Sequence, residues 1–249
     1  MAGRREVYFV SDVHLGLKIG DPAERESRFI GFLKSVPRDS TRALYLLGDI
    51  WDFWFEYHDV VPRCGARVVA ALVDLMDAGV EVWFCHGNHD MWSFSYFQEL
   101  GMRKFVQPHY VEIEGKVFCL GHGDMLGGAK WNYRLMMWLF GNRVLRCLFS
   151  MLHPRIAFGF GLGWSRNNRK SRRPYRFRGE EEPLYKFAVE ASGNRHVDYF
   201  VFGHFHDSVD MVLPGGARFV VLKDWIGGGV PFAVFNGSSF ELHSPVCGS

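Results

Sequence analysis

The sequence predicts an α/β sandwich in which mixed β-sheets are layered with helices and a helical cap is inserted. In the first half, short apolar runs alternate with helical patterns, which is typical of strands joined by crossover helices. Towards the carboxyl end, strand-like runs follow one another with turn residues between them, which is typical of hairpins. The chain has 249 residues, 48% of them hydrophobic, which suits one domain with a substantial core.

Five apolar segments are predicted as strands that lead into polar loops. In chain order they are 6–12, 42–49, 80–90, 109–124 and 196–207. The fourth is predicted as a hairpin that turns at Glu114, Gly115 and Lys116. Because ligands of open α/β sheets collect beyond the carboxyl ends of strands, these polar loops are the expected functional site.

Three helices are predicted around these strands. One covers 22–36 and has Asp21 as its N-cap, and a second covers 66–79 and ends at Gly79. The third covers 182–192. The order of strands and helices supports a layered sandwich rather than an all-β or all-helical fold.

The segment 125–180 is predicted as an inserted helical cap within a single domain that covers 1–249. Residues 131–153 are strongly apolar with a narrow polar stripe, and 166–178 contain seven Arg or Lys and no acid. A simpler interpretation is a buried helix followed by a solvated charged loop. An apolar cap beside a basic segment also suits a lipid with a phosphate-rich head group.

Composition favours a cytoplasmic protein. The five cysteines are odd in number and form no C-x-x-C pair, as expected of a reduced chain. The amino terminus lacks the pattern of a signal peptide, and no apolar run reaches the length of a spanning helix. The net charge of +2 is too small to indicate a nucleic-acid partner.

The predicted strand ends carry a set of carboxylate, imidazole and amide side chains. Seven of them are candidate metal ligands: Asp12, His14, Asp49, Asn88, His122, His204 and His206. These donors, without thiolate, suit Mn²⁺, Fe²⁺ or Zn²⁺. Seven ligands exceed the need of one ion and suit two ions that share a carboxylate. If extended backbone continues past the last strand, His204 and His206 lie on one face.

These motifs resemble those of the calcineurin-like metallophosphoesterase superfamily. The matching segments are D-x-H at 12–14, GD at 48–49, GNHD at 87–90, GH at 121–122 and GHFH at 203–206. The resemblance implies two divalent ions, most simply Mn²⁺. It implies that one ion is held by Asp12, His14, Asp49 and His206. The other is held by Asp49, Asn88, His122 and His204, so that Asp49 bridges the two.

The resemblance also implies catalytic roles for Asp49 and His89. In many members the histidine that corresponds to His89 protonates the leaving oxygen, and here Asp90 is expected to orient it. The alternative is that His89 only contacts substrate phosphate. Both interpretations are compatible with the sequence.

Within the superfamily, the chain is most similar to the UDP-2,3-diacylglucosamine pyrophosphohydrolases of lipid A assembly. The similarity includes SDVHLG, LGDIWDFW, GHGD, the inserted lid and GHFH. It implies hydrolysis to 2,3-diacylglucosamine 1-phosphate and UMP, with peripheral contact at the cytoplasmic face of the inner membrane. Two departures stand out, since His89 replaces an arginine and Lys130 replaces an acid of the best-known branch.

The expected substrate contacts follow from this similarity. They are Asn88, His89, Lys130, Ser165, Asn168, Arg169, Lys170 and His204. The alternative function is that of a soluble metallophosphodiesterase or phosphatase that acts on nucleotides or another phosphorylated substrate. The sequence does not distinguish a monomer from a homodimer.

Overall fold

The computed structural model describes residues 3–170 and 176–244, with the side chains of Trp164 and 166–170 outside the described part. Two β-sheets face each other. The first has the strand order β11-β10-β1-β2-β3-β4. Its strands are β1 (Glu6–Val10), β2 (Thr41–Leu47), β3 (Glu81–Cys85), β4 (Arg103–Lys104), β10 (Phe232–Phe235) and β11 (Phe240–His243). Strands β1 to β4 are parallel to one another. Strand β10 runs antiparallel to β1, and β11 runs antiparallel to β10.

The second sheet has the order β5-β6-β7-β9-β8. Its strands are β5 (His109–Ile113), β6 (Lys116–Leu120), β7 (Tyr199–Phe202), β8 (Val209–Val212) and β9 (Arg218–Val221). Strands β6, β7 and β9 are parallel, and the hairpin partners β5 and β8 are antiparallel. The two sheets pack through apolar side chains such as Phe9 and Phe118, whose rings stack with centroids 5.7 Å apart.

Helices cover the outer faces of both sheets. On the first sheet, α1 (Pro22–Ser35) and α2 (Ala66–Asp77) bury Phe29, Leu33 and Leu72. The short α3 (Tyr96–Glu99) joins the same core through Phe97. On the second sheet lies α7 (Pro183–Asn194), preceded by a 3₁₀ turn (Gly179–Glu181). The predicted α/β sandwich with mixed sheets is therefore confirmed.

Helix-capping and turn residues explain why the predicted elements agree with the structure. Asp21 Oδ1 accepts from the Ala23 and Glu24 amides at 2.9 and 3.0 Å, which satisfies the first donors of α1. The predicted hairpin turns where Glu114 and Gly115 both have positive φ, which matches the twist of the strands. The two-residue strand β4 and the one-turn helix α3 were not predicted, because elements this short have no periodicity.

Three helices form the segment that we predicted as a cap. They are α4 (Trp131–Gly141), α5 (Arg143–Ser150) and α6 (Pro154–Lys170). No described residue of α4 or α5 is buried, which contradicts the simpler interpretation of a buried helix. The cap contacts the domain through aromatic rings: Phe149 lies against Phe55 and Phe158 against Phe53, with centroids 4.9 and 5.5 Å apart. Among the described residues, no helix has the length and hydropathy to cross a bilayer.

Candidate metal centre

The candidate ligands come together where the parallel strands of both sheets end. Asp12 and His14 follow β1, Asp49 follows β2, and the GNHD segment follows β3. His122 follows β6, and the GHFH segment follows β7. Since the sheets face each other, five loops that are distant in sequence meet at one edge of the sandwich. This is the position expected for a ligand site in a parallel sheet.

The backbone at this edge is strained. Six described residues other than glycine have positive φ, and five of them are candidate ligands: Asp12, His14, Asp49, His204 and His206. Such conformations cost about 1–3 kcal/mol each and persist where the surroundings enforce them, often at functional sites. Strand β7 ends at Phe202, so extended backbone does not continue to His204 and His206 and does not align them. Left-handed backbone directs both rings to the site instead.

Asp12 is fully buried and its two carboxylate oxygens have different roles. Oδ2 accepts from Ser11 Oγ at 2.6 Å and from the His204 amide at 2.9 Å. Oδ1 has no hydrogen-bond partner among the described residues, and His206 Nε2 lies 3.3 Å from it. Burial alone would raise the pKa of Asp12, but the contacts with His14 and His206 hold it well below its usual value. The carboxylate is therefore ionised at neutral pH.

The two carboxylate oxygens of Asp49 also have different roles. Its Oδ1 accepts from the His89 amide at 2.8 Å, which anchors the side chain. Its Oδ2 lies 3.8 Å from His14 Nε2 and 3.3 Å from His122 Nε2. Burial opposes ionisation, but the charges of His122 and His89 lower the pKa of Asp49. One carboxylate oxygen thus lies between imidazoles on two sides of the site.

Two imidazoles converge on one side of this carboxylate. The Nε2 atoms of His14 and His206 are 3.2 Å apart, and their rings tilt at 41°. Both nitrogens also lie near Asp12 Oδ1, at 3.6 and 3.3 Å. Although burial lowers the pKa of His206, its contacts with Asp12 and Asp224 raise it to about 9.

His122 and His204 lie on the other side, with ring centroids 5.1 Å apart. His122 Nδ1 is 2.9 Å from the carbonyl oxygen of Leu47, so Nε2 carries the free lone pair when the ring is neutral. Burial lowers the pKa of His122, but the charge of Asp49 raises it well above its ordinary value. Burial and the neighbouring charge of His122 lower the pKa of His204 to about 4.

The site passes a test for metal ligation. Asp12 Oδ1, Asn88 Oδ1 and His122 Nε2 are buried without a hydrogen-bond partner among the described residues. Buried polar atoms are normally satisfied, so three orphans in one cluster indicate a missing partner. All three are lone-pair donors that divalent cations accept as ligands. The residues therefore fit divalent metal ions.

Glycines make this convergence sterically possible. A Cβ at Gly203 would overlap Ser11 Oγ and Asp12 Oδ2, and a Cβ at Gly87 would overlap Asp49 Oδ1. The glycines that precede the ligands in the motifs are therefore required by close approach rather than by turn geometry alone.

His89 is oriented by a residue other than the expected one. Its Nδ1 is 2.8 Å from the backbone oxygen of Asp52 and 3.6 Å from Asp52 Oδ1. The prediction that Asp90 orients His89 was wrong. The carboxylate of Asp90 accepts from the Gly87 amide at 2.7 Å and from the Ile50 amide at 2.9 Å. Asp90 thus holds the loop of Asp49 against the GNHD loop.

Asp52 was not predicted as a functional residue, yet it contacts three of them. Its Oδ1 lies 3.3 Å from His14 Nδ1 and accepts a 2.9 Å hydrogen bond from Ser165 Oγ of helix α6. A signal was present in the sequence, since Asp52 stands three residues after Asp49 in the same polar loop. Its buried carboxylate connects a candidate ligand, His89 and the cap.

The structure places the residues predicted to contact substrate in different surroundings. Ser165 is only 2% exposed and its hydroxyl donates to Asp52, so it links the cap to the site instead of presenting a free hydroxyl. Lys130 is exposed directly before α4. Asn88, His89 and His204 lie at the cluster. The side chains of Asn168, Arg169 and Lys170 are outside the described residues, and their roles stay predictions.

Comparison with known families agrees with this geometry. Residues 6–208 match the family model of the calcineurin-like phosphoesterases, which is more than half of the chain. The chain is a calcineurin-like phosphoesterase. Enzymes of this family use two divalent metal ions, so this phosphoesterase is a metal-dependent hydrolase, in agreement with the sequence prediction.

Curated relatives of this phosphoesterase include several bacterial UDP-2,3-diacylglucosamine hydrolases. It is 38% identical over 259 residues to a UDP-2,3-diacylglucosamine hydrolase of Porphyromonas gingivalis, covering 97% of this chain and 98% of the relative. It is 31% identical over 230 residues to a UDP-2,3-diacylglucosamine hydrolase of Stenotrophomonas maltophilia, covering 87% and 90%. Since the first match covers 97% of this chain, it includes most of the cap segment.

Among solved structures, a dimetal phosphatase of Danio rerio superposes on this phosphoesterase with a TM-score of 0.52. The match covers 93% of this chain and 92% of the phosphatase, at 14% sequence identity. At this identity the similarity concerns the fold. It agrees with the sandwich of two mixed sheets described above.

Proposed function

We propose that this phosphoesterase hydrolyses the pyrophosphate of UDP-2,3-diacylglucosamine to 2,3-diacylglucosamine 1-phosphate and UMP, a step of lipid A biosynthesis. One observation carries the proposal: helix α6 of an apolar cap donates a hydrogen bond to Asp52, which contacts the candidate ligand His14. The apolar cap is thereby connected to the candidate metal centre through Asp52. The relative of Porphyromonas gingivalis, which matches along the cap as well, supports the same substrate.

We assign the ligands to two positions. Position one consists of Asp12, His14, Asp49 and His206, and position two of Asp49, Asn88, His122 and His204. The assignment is supported by the Asp49 Oδ2 atom, which lies between His14 Nε2 and His122 Nε2. The oxygen and nitrogen donors accept several ions, and we propose Mn²⁺ as the physiological one.

When bound, the two ions supply Lewis acidity to the phosphoryl oxygens and a nucleophilic water at neutral pH. The side chains supply positioning around them. Asp49 and Asp12 hold negative charge at the floor of the site, and His89 projects beside His14 with ring centroids 5.0 Å apart. Since a phosphate leaving group is already acidic, with a pKa of about 6, we assign His89 to contact substrate phosphate rather than to protonate the leaving oxygen.

The substrate is tested by Mn²⁺-dependent release of UMP from UDP-2,3-diacylglucosamine in mixed micelles, with UDP-N-acetylglucosamine as the unacylated control. We expect rapid turnover of the acylated compound and at least tenfold slower turnover of the control, because apolar contacts with the acyl chains add binding energy. Equal rates on both compounds would contradict the lipid substrate. Hydrolysis of simple phosphodiesters alone would favour the soluble phosphodiesterase that we consider the second candidate.

We also propose that the cap docks on an anionic membrane surface. Exposed apolar side chains lie on its three helices and directly after α5, including Trp131, Trp138, Leu148, Met151 and Phe160, which are 76%, 64%, 56%, 77% and 58% exposed. No acidic residue occurs between 125 and 178, whereas arginines are interspersed. Apolar groups with interspersed cations are characteristic of interfacial helices on anionic lipid.

Replacing Trp138 and Met151 together by serine tests this surface. We expect binding to vesicles of phosphatidylcholine and phosphatidylglycerol to weaken about tenfold or more, because two insertable side chains are lost. Sedimentation with vesicles measures the change. A matched control is Val212→Ser, which removes a side chain that is 69% exposed on β8 and lies outside the cap. Equal vesicle binding by both variants would contradict the docking surface.

A further inference from the structure

The candidate ligand His206 is held from two sides. Its Nε2 faces the site, 3.3 Å from Asp12 Oδ1 and 3.2 Å from His14 Nε2. Its Nδ1 faces away from the site and lies 3.3 Å from Oδ2 of Asp224. The backbone of His206 has a φ of +58°, so the residue depends on its surroundings to stay in place.

Asp224 belongs to a rigid segment that directly follows β9. Its Oδ1 accepts from the Ile226 amide at 2.6 Å, which leaves Oδ2 for His206. The next residue, Trp225, is fully buried, and its amide donates to the Asp12 carbonyl oxygen at 3.1 Å. The Trp225 ring lies against Phe29 of α1, with centroids 5.0 Å apart. The core of the domain therefore sets the position of the Asp224 carboxylate.

The same arrangement occurs at the second imidazole of position one. His14 directs Nε2 to the site, and its Nδ1 lies 3.3 Å from Asp52 Oδ1. At position two, by contrast, His122 Nδ1 lies 2.9 Å from the backbone oxygen of Leu47. A carboxylate behind a ligating imidazole fixes its tautomer and orientation and makes it a stronger ligand. His14 and His206 thus each have a carboxylate behind the ring, whereas His122 has a backbone carbonyl oxygen in that place.

We propose that Asp224 is a positioning residue that orients His206 through Nδ1 and so strengthens metal binding at position one. The inference rests on the ligand assignment proposed above and is independent of the identity of the substrate. It extends the site to β9, which supplies no ligand of its own. Together with Asp52, Asp224 places a carboxylate behind each imidazole of position one.

The test is Asp224→Asn in the full chain. Asparagine retains an oxygen for the Ile226 amide and removes the negative charge that faces His206, so the loop is preserved while the imidazole contact changes. After removal of bound metal, Mn²⁺ is titrated in, and free Mn²⁺ is measured by electron paramagnetic resonance. We expect wild type to bind two ions and the variant to bind one of them roughly 10–100-fold more weakly.

Controls separate positioning from folding. Asp39→Asn changes an exposed carboxylate in a turn and is expected to bind both ions as wild type does. The melting temperature of the metal-free Asp224→Asn variant is expected to equal that of the wild type. If this variant does not fold, Asp224→Ser, which retains an acceptor for Ile226, decides the question in the same titration.

The outcomes are distinguishable. A folded Asp224 variant that binds both ions with wild-type affinity would overturn this inference alone. A wild type that binds fewer than two ions would overturn the ligand assignment and the inference with it. A selective loss of one affinity, with kcat restored at saturating Mn²⁺, supports a positioning role, which a merely structural residue would not show.

Discussion

Replacing Asp49 by asparagine is expected to abolish turnover while the fold is kept. Asp49 Oδ2 lies between His14 Nε2 and His122 Nε2, and Asp49 is 1% exposed. Asparagine has the same shape and can still accept the His89 amide, but it removes the charge shared by both metal positions. Because the ions supply several kcal/mol of catalysis, we expect kcat/KM to fall about a thousandfold or more.

Two measurements check this prediction. Metal analysis after gel filtration is expected to find fewer than two ions bound to the Asp49→Asn protein. Hydrolysis of the nucleotide lipid at saturating Mn²⁺ measures the loss of activity. Asp39→Asn, at an exposed turn, is the matched carboxylate-to-amide control. A variant that binds two ions and retains more than a tenth of wild-type activity would refute the shared-ligand role of Asp49.

Replacing Asp52 by asparagine is expected to slow hydrolysis about 10²–10³-fold at saturating Mn²⁺, because two imidazoles each lose a carboxylate partner and one such loss typically costs about 10–100-fold. The Asp52 carboxylate lies 3.6 Å from His89 Nδ1 and 3.3 Å from His14 Nδ1, and it accepts from Ser165 Oγ. Loss of its charge weakens all three contacts at once. Metal analysis is expected to find two ions at saturating Mn²⁺, because Asp52 contacts Nδ1 of His14 and is not itself a candidate ligand.

Ser165→Ala isolates one of these contacts. It removes the hydrogen bond from α6 and leaves both histidine contacts of Asp52 in place. We therefore expect a smaller loss than for Asp52→Asn, within about tenfold, because the lost hydrogen bond attaches the cap and is not made to His89, His14 or the reacting groups. Equal losses in the two variants would mean that Asp52 acts through the cap and not through His89 and His14.

The ligand set could be predicted from the sequence because metal ligands were the polar residues that directly follow apolar runs. Each run is a strand, and a strand must end where its apolar pattern ends. Parallel strands place their carboxyl ends at one edge, so the sequence predicts that Asp12, Asp49 and Asn88 lie together. Glycines in the same motifs signalled close approach, which Gly87 and Gly203 show in the structure.

The orienting residues were harder to predict. Asp90 follows His89 directly in the sequence, but its carboxylate turns to the Gly87 and Ile50 amides. Asp52 and Asp224 reach the histidines from other loops, and a single carboxylate in a loop carries no pattern that reveals its partner. Ser165 illustrates the same limit, since its hydroxyl is used by Asp52 within the protein.

The sandwich of mixed sheets, the family and the chemistry of the ligands can be predicted from the sequence, because these depend on local periodicity and on motifs that each occupy a few residues. Which atoms face each other depends on the tertiary structure. The left-handed backbone of His204 and His206, the carboxylates behind His14 and His206, and the attachment of the cap at Asp52 all depend on contacts between segments far apart in the chain. Such contacts arise from packing two sheets and a cap together, and no local pattern encodes them.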